Sequence, residues 1–413
     1  MKNLTLVLVV SILGIFFSGS LAFGGGFLVY TQDAAATGMG LAYTAQVDRP
    51  SAVFYNPAAI NQLEGTNISA GGSLIIPRTT YRSPTGSETE MDHHTYFLPN
   101  FFVTHKINDK FAAGFGVFSP FGLSTDWPEN WEGRYISTFA EIRTLFLNPV
   151  ISWQAHPRLS LAVGFNSVLS DVELRSAINL SPLPDGESDL DGDGSGQGFN
   201  LGLLFQVTDD VTFGVSYRSP VDIDYNGQAT FKVDSAVRGL FPDGDASVDI
   251  DMPAILAVGL STNYIKNWTF EFDLYWVDWA TIDTLLINYR TETALLQDQN
   301  IIRNWKDVFF YSLGARYQLN ESMVLRGGYM FRNTPVPEST FDPILPDADQ
   351  HIVTIGAGYR RGGLDIDLAY MALFYNDRSI RATDPNTGLP IGGRNGEYES
   401  FVSVIGVNLQ YVF

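Results

Sequence analysis

Apolar and polar residues alternate with a period of two along almost the whole chain after Thr66. Such runs, bounded by Gly, Pro, Asn and Asp, predict β-strands. The pattern predicts strands at 66–82, 94–107, 110–121, 141–154, 158–178, 196–207, 211–233, 248–264, 268–290, 305–318, 322–333, 349–360, 364–381 and 397–413. Their connections also alternate. Tight turns at 108–109, 156–157, 208–210, 265–267, 319–321 and 361–363 alternate with long segments at 83–93, 122–140, 179–195, 234–247, 291–304, 334–348 and 382–396. An even strand count with short turns at one end and long loops at the other predicts an all-β fold. The expected form is a 14-stranded antiparallel transmembrane β-barrel, closed because hydrocarbon cannot satisfy an open sheet edge.

The last strand carries the same message. Ile405, Val407, Leu409, Tyr411 and Phe413 form one face, and Val404, Gly406, Asn408, Gln410 and Val412 the other. Lipid-out, lumen-in alternation requires this arrangement. The terminal Phe413 resembles the insertion signal by which barrel-assembly machinery receives such strands.

The alternation is missing before Thr66. Met1-Lys2-Asn3, an apolar run over 4–17 and Ser20-Leu21-Ala22 predict a secretory signal peptide at 1–22, cut after Ala22. Residues 23–65 are rich in Gly and Ala, and 23–62 carry only Asp33, Asp48 and Arg49 as charges. This stretch is expected to be an N-terminal hatch, a plug lying in the lumen of the barrel formed by 66–413.

Composition narrows the function. Cysteine is absent, which excludes disulfides, thiolate catalysis and Cys-bound metals. A net charge of −20 argues against nucleic acid as a partner. Aromatic residues make up 13% of the chain, with 29 Phe and 19 Tyr, yet after the leader no apolar run is long enough for a helical span. The five histidines (His93, His94, His105, His156 and His351) have no G-x-S-x-G nucleophile elbow to serve. No catalytic site, cofactor or metal site is expected. Asp189-Leu190-Asp191-Gly192-Asp193-Gly194 copies half of a calcium loop, but Asn200 stands where a bidentate Glu is required, so it reads as an acidic extracellular loop.

Other residues carry a family likeness. Gly38-Met39-Gly40-Leu41-Ala42-Tyr43, Asn56-Pro57-Ala58, Phe121-Gly122-Leu123, Trp131-Glu132-Gly133-Arg134-Tyr135 and Gly198-Phe199-Asn200-Leu201-Gly202 occur in that order. They are followed by Tyr217-Arg218-Ser219, Lys306-Asp307, Pro335-Val336-Pro337 and Tyr411-Val412-Phe413. Together they resemble the FadL-like outer-membrane transporters of long-chain fatty acids and other hydrophobic compounds, over essentially the whole mature chain. The resemblance implies a hatch-filled barrel with a lateral route where the third strand kinks inward beside the Asn-Pro-Ala turn. The expected gate is therefore Asn56, Pro57 and Ala58 with Gly114, Gly116, Pro120 and Gly122. Glycines within a strand and a proline that cannot donate to the ladder are physically suited to such a break.

An apolar cargo with a carboxylate head needs an apolar surface and a cation. Phe118, Phe121, Leu123, Trp127, Trp131, Tyr135, Ile136 and Phe139 are expected to form a capture groove at the extracellular mouth. The resemblance places Arg175 and Lys306 near the carboxylate, and each could equally sit in a salt bridge. The expected function is passive import of hydrophobic small molecules, foremost long-chain fatty acids. Aromatic hydrocarbons are the alternative cargo, and an aqueous porin or an adhesive surface barrel are the rivals. The protein is expected to be a monomer in the bacterial outer membrane, in contact with its lipid and lipopolysaccharide.

Overall fold

A computed structural model of the chain describes residues 25–383 and 392–413; the predicted signal peptide lies outside them. Fourteen antiparallel strands close into a barrel. They are β1 (Thr66–Arg82), β2 (Tyr96–Lys106), β3 (Phe111–Phe118 and Gly122–Asp126), β4 (Phe139–His156), β5 (Leu159–Ile178), β6 (Gly186–Thr208) and β7 (Val211–Arg218 and Val221–Lys232). There follow β8 (Gly244–Met252 and Ile255–Thr262), β9 (Trp268–Val277 and Thr284–Tyr289), β10 (Gln299–Ile302 and Val308–Gln318), β11 (Met323–Arg332), β12 (Gln350–Arg361), β13 (Leu364–Tyr375 and Arg378–Ile380) and β14 (Gly396–Val412). Closure comes from β1 pairing with β2 on one side and β14 on the other, from Asn67↔Val412 to Arg82↔Glu397.

The side-chain period decides the two faces. Ile405, Val407, Leu409 and Tyr411 are exposed on the outside of β14, while Val404, Asn408 and Gln410 are buried inside. On β10, Phe309, Tyr311 and Leu313 face out, and Phe310 and Ser312 face in. Among the described residues no helix is long and apolar enough to cross a membrane; in this barrel the strands do so.

The acidic run 189–194 is not a loop. Asp189, Asp191 and Asp193 lie within β6, opposite Arg175, Glu173 and Asp171 of β5, with Gly227 and its neighbours of β7 on the other side. The Gly and Asp content imitates a turn, yet the period of two persists through it. Gly192 and Gly227 let the two backbones approach where a Cβ on Gly227 would lie 1.8 Å from the Asp191 carbonyl oxygen. Ladder bonds on both sides outweigh the weak strand propensity of these residues.

Inside the barrel lies the chain from Gly25 to Leu63. It forms two short helices, α1 (Ala34–Gly38) and α2 (Ala52–Tyr55), and a 3-10 helix at Pro57–Gln62. The Asp33 side chain caps α1 by accepting from the Ala35 and Ala36 amides, and Asn56 caps the 3-10 helix through the Ala58 amide at 3.2 Å. Almost every residue of this stretch is buried, as its Gly and Ala content permits.

The Gly38-Met39-Gly40 turn explains its own composition. It presses on wall glycines 314, 328 and 356 of β10, β11 and β12, where a Cβ on Gly328 would stand 2.3 Å from the Gly40 nitrogen. Ser312 and Thr354 hydroxyls donate to the Gly40 and Gly38 carbonyls. Gly40 and Leu41 both have positive φ, +64° and +67°, which the turn needs. Nearby, Asp273 accepts from the Tyr43 and Thr44 amides at 2.9 and 3.0 Å, and Glu271 accepts from Ala45 at 2.6 Å. Arg49 completes the attachment, 2.8 Å from Asp367 and 3.3 Å from Asp365 of β13. Asp48 meets Arg316 at 2.6 Å; burial raises its pKa, but Arg316 and Arg49 more than offset this and hold the carboxyl below its ordinary range.

Candidate functional site

Several strands break at a similar height. β3 breaks at 119–121, β7 at Ser219-Pro220, β8 at Pro253-Ala254, β9 at 278–283 and β10 at 303–307. Proline removes a ladder donor at three of these breaks. Above them, beneath the long connections, lies an apolar cavity that is partly open to solvent. Its walls include Leu123, Ile142, Val172, Leu174, Ile250, Ile282, Leu285, Trp305 and Leu345, and Phe27 of the hatch reaches into it. Its predominantly apolar lining with a few polar groups is that of a small-molecule pocket.

The charged groups at this cavity are Arg303, 7% exposed, and Asp342, and they form an ion pair with each other. A buried cation already joined to a carboxylate presents little net charge to cargo. Sequence reading missed this pair because Asp342 belongs to a long connection and meets Arg303 only through the fold.

The two cations singled out from the sequence lie elsewhere. Arg175 sits at the rim over the Phe139 ring, paired with Glu173 and, at 3.7 Å, with Asp189. Lys306 is exposed at the break in β10, its amide donating to the Pro335 carbonyl. Neither lines the apolar cavity.

The aromatic stretch 118–139 also differs from the exposed groove that its composition suggested. Phe118, Phe121, Leu123, Trp127 and Trp131 are buried, Phe139 is partly so, and Tyr135 alone among the candidates is open, at 38%. The rings satisfy one another: Trp127 stacks on Trp131 at 4.3 Å, and Trp131 meets Tyr81 edge-on. The Trp127 indole donates to the Pro343 carbonyl at 3.1 Å. Burial against the neighbouring connections releases more free energy than a hydrated aromatic loop would. Of these residues, Leu123 lines the cavity.

The third strand is kinked at Pro120, whereas Gly114 and Gly116 stay in regular register with β2 and β4. Phe118 opposes Phe146 and Gly122 opposes Arg143, so 119–121 stand against only 144 and 145 of β4, a β-bulge. β2 pairs with β3 only up to Phe101↔Val117. Above that, among the described residues, β2 has no ladder to β3, and a window in the wall lies between 96–100 and 119–126. Its upper edge is tied by Tyr96 to Ser124 at 3.1 Å and by Asp92 to Asp126.

The hatch segment that lies in this window, 27–32, is not among the expected gate residues. Val29 donates to the Pro120 carbonyl at 2.7 Å, Gly122 donates to the Phe27 carbonyl at 2.9 Å, and Leu28 forms a β-bridge with Phe121. The Gln32 side chain adds a bond to the Ser119 carbonyl at 2.7 Å. The Gly25 and Gly26 amides anchor this segment on the Asp347 carboxylate. Burial pushes the Asp347 carboxyl above its usual value, with the Thr334, Gly26 and Gly25 hydrogen bonds pulling it back. The Asn56-Pro57-Ala58 turn leans instead on β6, where Asn56 donates to the Leu203 carbonyl at 3.0 Å. A Cβ on Gly202 would lie 2.7 Å from both the Ala58 nitrogen and the Asn56 side-chain oxygen. It is Val53 of α2 that rests on Gly114 and Gly116 of β3.

Comparison with known proteins agrees with this architecture. Residues 15–413 match the family model described as outer membrane protein transport protein (OMPP1/FadL/TodX). The long-chain fatty acid transport protein of Escherichia coli K12 is 23% identical, over 92% of this chain and 93% of that one. A Pseudomonas aeruginosa FadL homologue superposes with a TM-score of 0.84 at 21% identity, covering 94% of this chain and all of that one. The toluene transporter TodX of P. putida gives 0.75 at 18%, covering 94% and 99%. These likenesses show the fold; the family is one of transport proteins rather than enzymes, and it resides in the outer membrane. This chain belongs to the OMPP1/FadL/TodX family of outer-membrane transporters of hydrophobic compounds.

Proposed function

We propose that the protein imports long-chain fatty acids passively, by capture at the long connections, binding in the apolar cavity and lateral release through the window beside β3. The observation that carries this reading is the position of the cavity: its floor residue Phe27 is the same hatch residue that closes the window. A displacement of 27–32 would join the two. The gate residues then act in two groups. Pro120 and Gly122 bear the hatch contact, whereas Asn56, Pro57 and Ala58, with Val53 on Gly114 and Gly116, seat the hatch on the wall. Tyr135 and Phe139 at the rim guide cargo inward over the buried Trp131, with Arg175 and Lys306 drawing anions towards the mouth, while Phe118 and Phe121 lie deeper in the lumen. The chain acts as a monomer among outer-membrane lipid and lipopolysaccharide, and Phe413, 71% exposed, is the signal read by the assembly machinery.

Gly122→Glu tests the lateral route. It places a charge in the window, at a group whose amide donates to Phe27. Uptake of a radiolabelled fatty acid should fall by about tenfold or more, equivalent to ~1.4 kcal/mol at the exit barrier. Heat-modifiable migration on gels should show an intact barrel. Unchanged uptake by a correctly assembled variant would refute the route.

A second reading, neutral hydrocarbon cargo, is favoured by the Arg303–Asp342 pair, which leaves the cavity without a free cation among the described residues. Asp342→Asn decides how far that pair masks the cation. Affinity for a fatty acid relative to its alcohol should rise by about tenfold, as a charge-assisted bond to a freed guanidinium allows. An unchanged ratio would mean that the pair does not control selectivity.

A further inference from the structure

Below the cavity, four inward-facing polar residues stand on four consecutive strands: Asn148 of β4, Asn166 of β5, Asn200 of β6 and Arg218 of β7. Asn200 and Arg218 are direct cross-strand partners. Arg218 donates to the Asn166 side-chain oxygen, and Asn148 donates to that of Asn200 at 2.9 Å. All four are at least nine-tenths buried, Arg218 being 5% exposed.

Among the described residues, the Asn166 and Asn200 side-chain nitrogens have no hydrogen-bond partner, and neither has the Asn148 side-chain oxygen, so unpartnered donors outnumber unpartnered acceptors two to one. Arg218 spends one nitrogen on Asn166 and another, at a long 3.4 Å, on the Phe54 carbonyl of the hatch. No carboxylate pairs with it among the described residues, whereas Arg49, Arg303 and Arg326 each have one. A buried guanidinium with neutral partners, beside two unsatisfied amide donors, is costly for a purely structural element. It is well suited to an anion.

Its place supplies the anion. Aromatic rings run from the cavity to the belt: Phe27 to Phe121 at 6.1 Å, Phe121 to Phe146 at 6.0 Å, Phe146 to Phe118 at 5.9 Å and Phe118 to Phe54 at 5.0 Å. The Arg218 guanidinium lies over the last three rings, 5.1 to 5.8 Å from their centres. An amphiphile sliding along this path keeps its chain against aromatic rings and brings its polar end to the donors.

We propose that Arg218, Asn166 and Asn200 form a carboxylate subsite on the exit side of the cavity, which receives the head of an acidic cargo as the hatch bond from Arg218 to Phe54 gives way. This subsite rests on the import reading above, and selectivity for acids would reside here rather than in the cavity.

The test compares uptake of palmitic acid and of 1-hexadecanol by the full-length protein in outer membranes, with Arg218→Met and Arg218→Lys. Arg218→Met should lower acid uptake about tenfold and leave alcohol uptake within about twofold, with Arg218→Lys restoring much of the acid uptake. Equal loss for both cargoes in an assembled Arg218→Met barrel would make the belt a structural seat for the hatch and overturn the subsite. Equal retention of both would overturn it as well. Should Arg218→Met fail to assemble, Asn166→Leu with Asn200→Leu removes the two unpartnered donors and must lower the acid-to-alcohol ratio. Failure of the wild-type protein to import either compound would instead refute the import reading itself.

Discussion

Asp367→Ala is expected to loosen the hatch from the barrel wall and turn a closed barrel into a leaky one. The Asp367 side chain is 1% exposed and accepts from two arginines, Arg49 of the hatch and Arg326 of β11, each at 2.8 Å. Removing it leaves two buried guanidinium groups short of a partner. Breaking a buried pair from one side costs about 3–5 kcal/mol. Asp365 remains 3.3 Å from Arg49 but is already shared with Arg360 at 2.6 Å. Planar-bilayer recording should therefore show frequent conductance steps in the variant and few in the parent, together with faster proteolysis within 25–65. A variant as silent and as resistant as the parent would show that the ion pairs do not anchor the hatch.

Gly328→Val is expected to produce the same leak by shape alone. The Cβ would stand 2.3 Å from the Gly40 nitrogen and 2.4 Å from the Met39 carbonyl carbon, and both obstacles are backbone. The Met39-Gly40 turn must lift off β11, which strains the Ser312 and Thr354 bonds to its carbonyls. Overpacking of this kind costs roughly 1–3 kcal/mol or more. Gly239→Ala, which meets nothing within 4 Å, is the matched control and should be silent. If Gly328→Val kept parental conductance and stability, the hatch would not be seated where the structure puts it. Agreement between the two variants would identify hatch seating as the common cause, since one alters charge and the other only volume.

How much was legible in advance varied with the range of the interaction. Strand β1 was read at its observed bounds, and the alternation on β14 assigned its outer face correctly, because side-chain direction follows a local period. The kink in β3 was legible from Pro120, a local defect in a strand, whereas Gly114 and Gly116, expected to interrupt the strand, keep regular pairing with β2 and β4. The stretch 189–194 was misread for the same local reason, since Gly and Asp imitate a turn when the flanking ladders are unseen. The partners of each charge were not legible. Arg303 and Asp342 are 39 residues apart, and Arg49 and Asp367 are 318 apart. Nothing in spacing joins them.

The alternation of residues by itself determined a closed transmembrane barrel, and its absence before Thr66 set apart a non-strand segment. These follow from backbone hydrogen bonding and a period of two, which every stretch of chain expresses for itself. The tertiary structure alone decided which hatch residues close the window, Phe27 to Gln32 rather than Asn56 to Ala58. It also decided that the cavity's cation is paired while Arg218 has only neutral partners among the described residues. Those outcomes depend on which inward-facing groups meet across the lumen once the barrel is closed, and on the amides and carbonyls left over at the breaks in the wall.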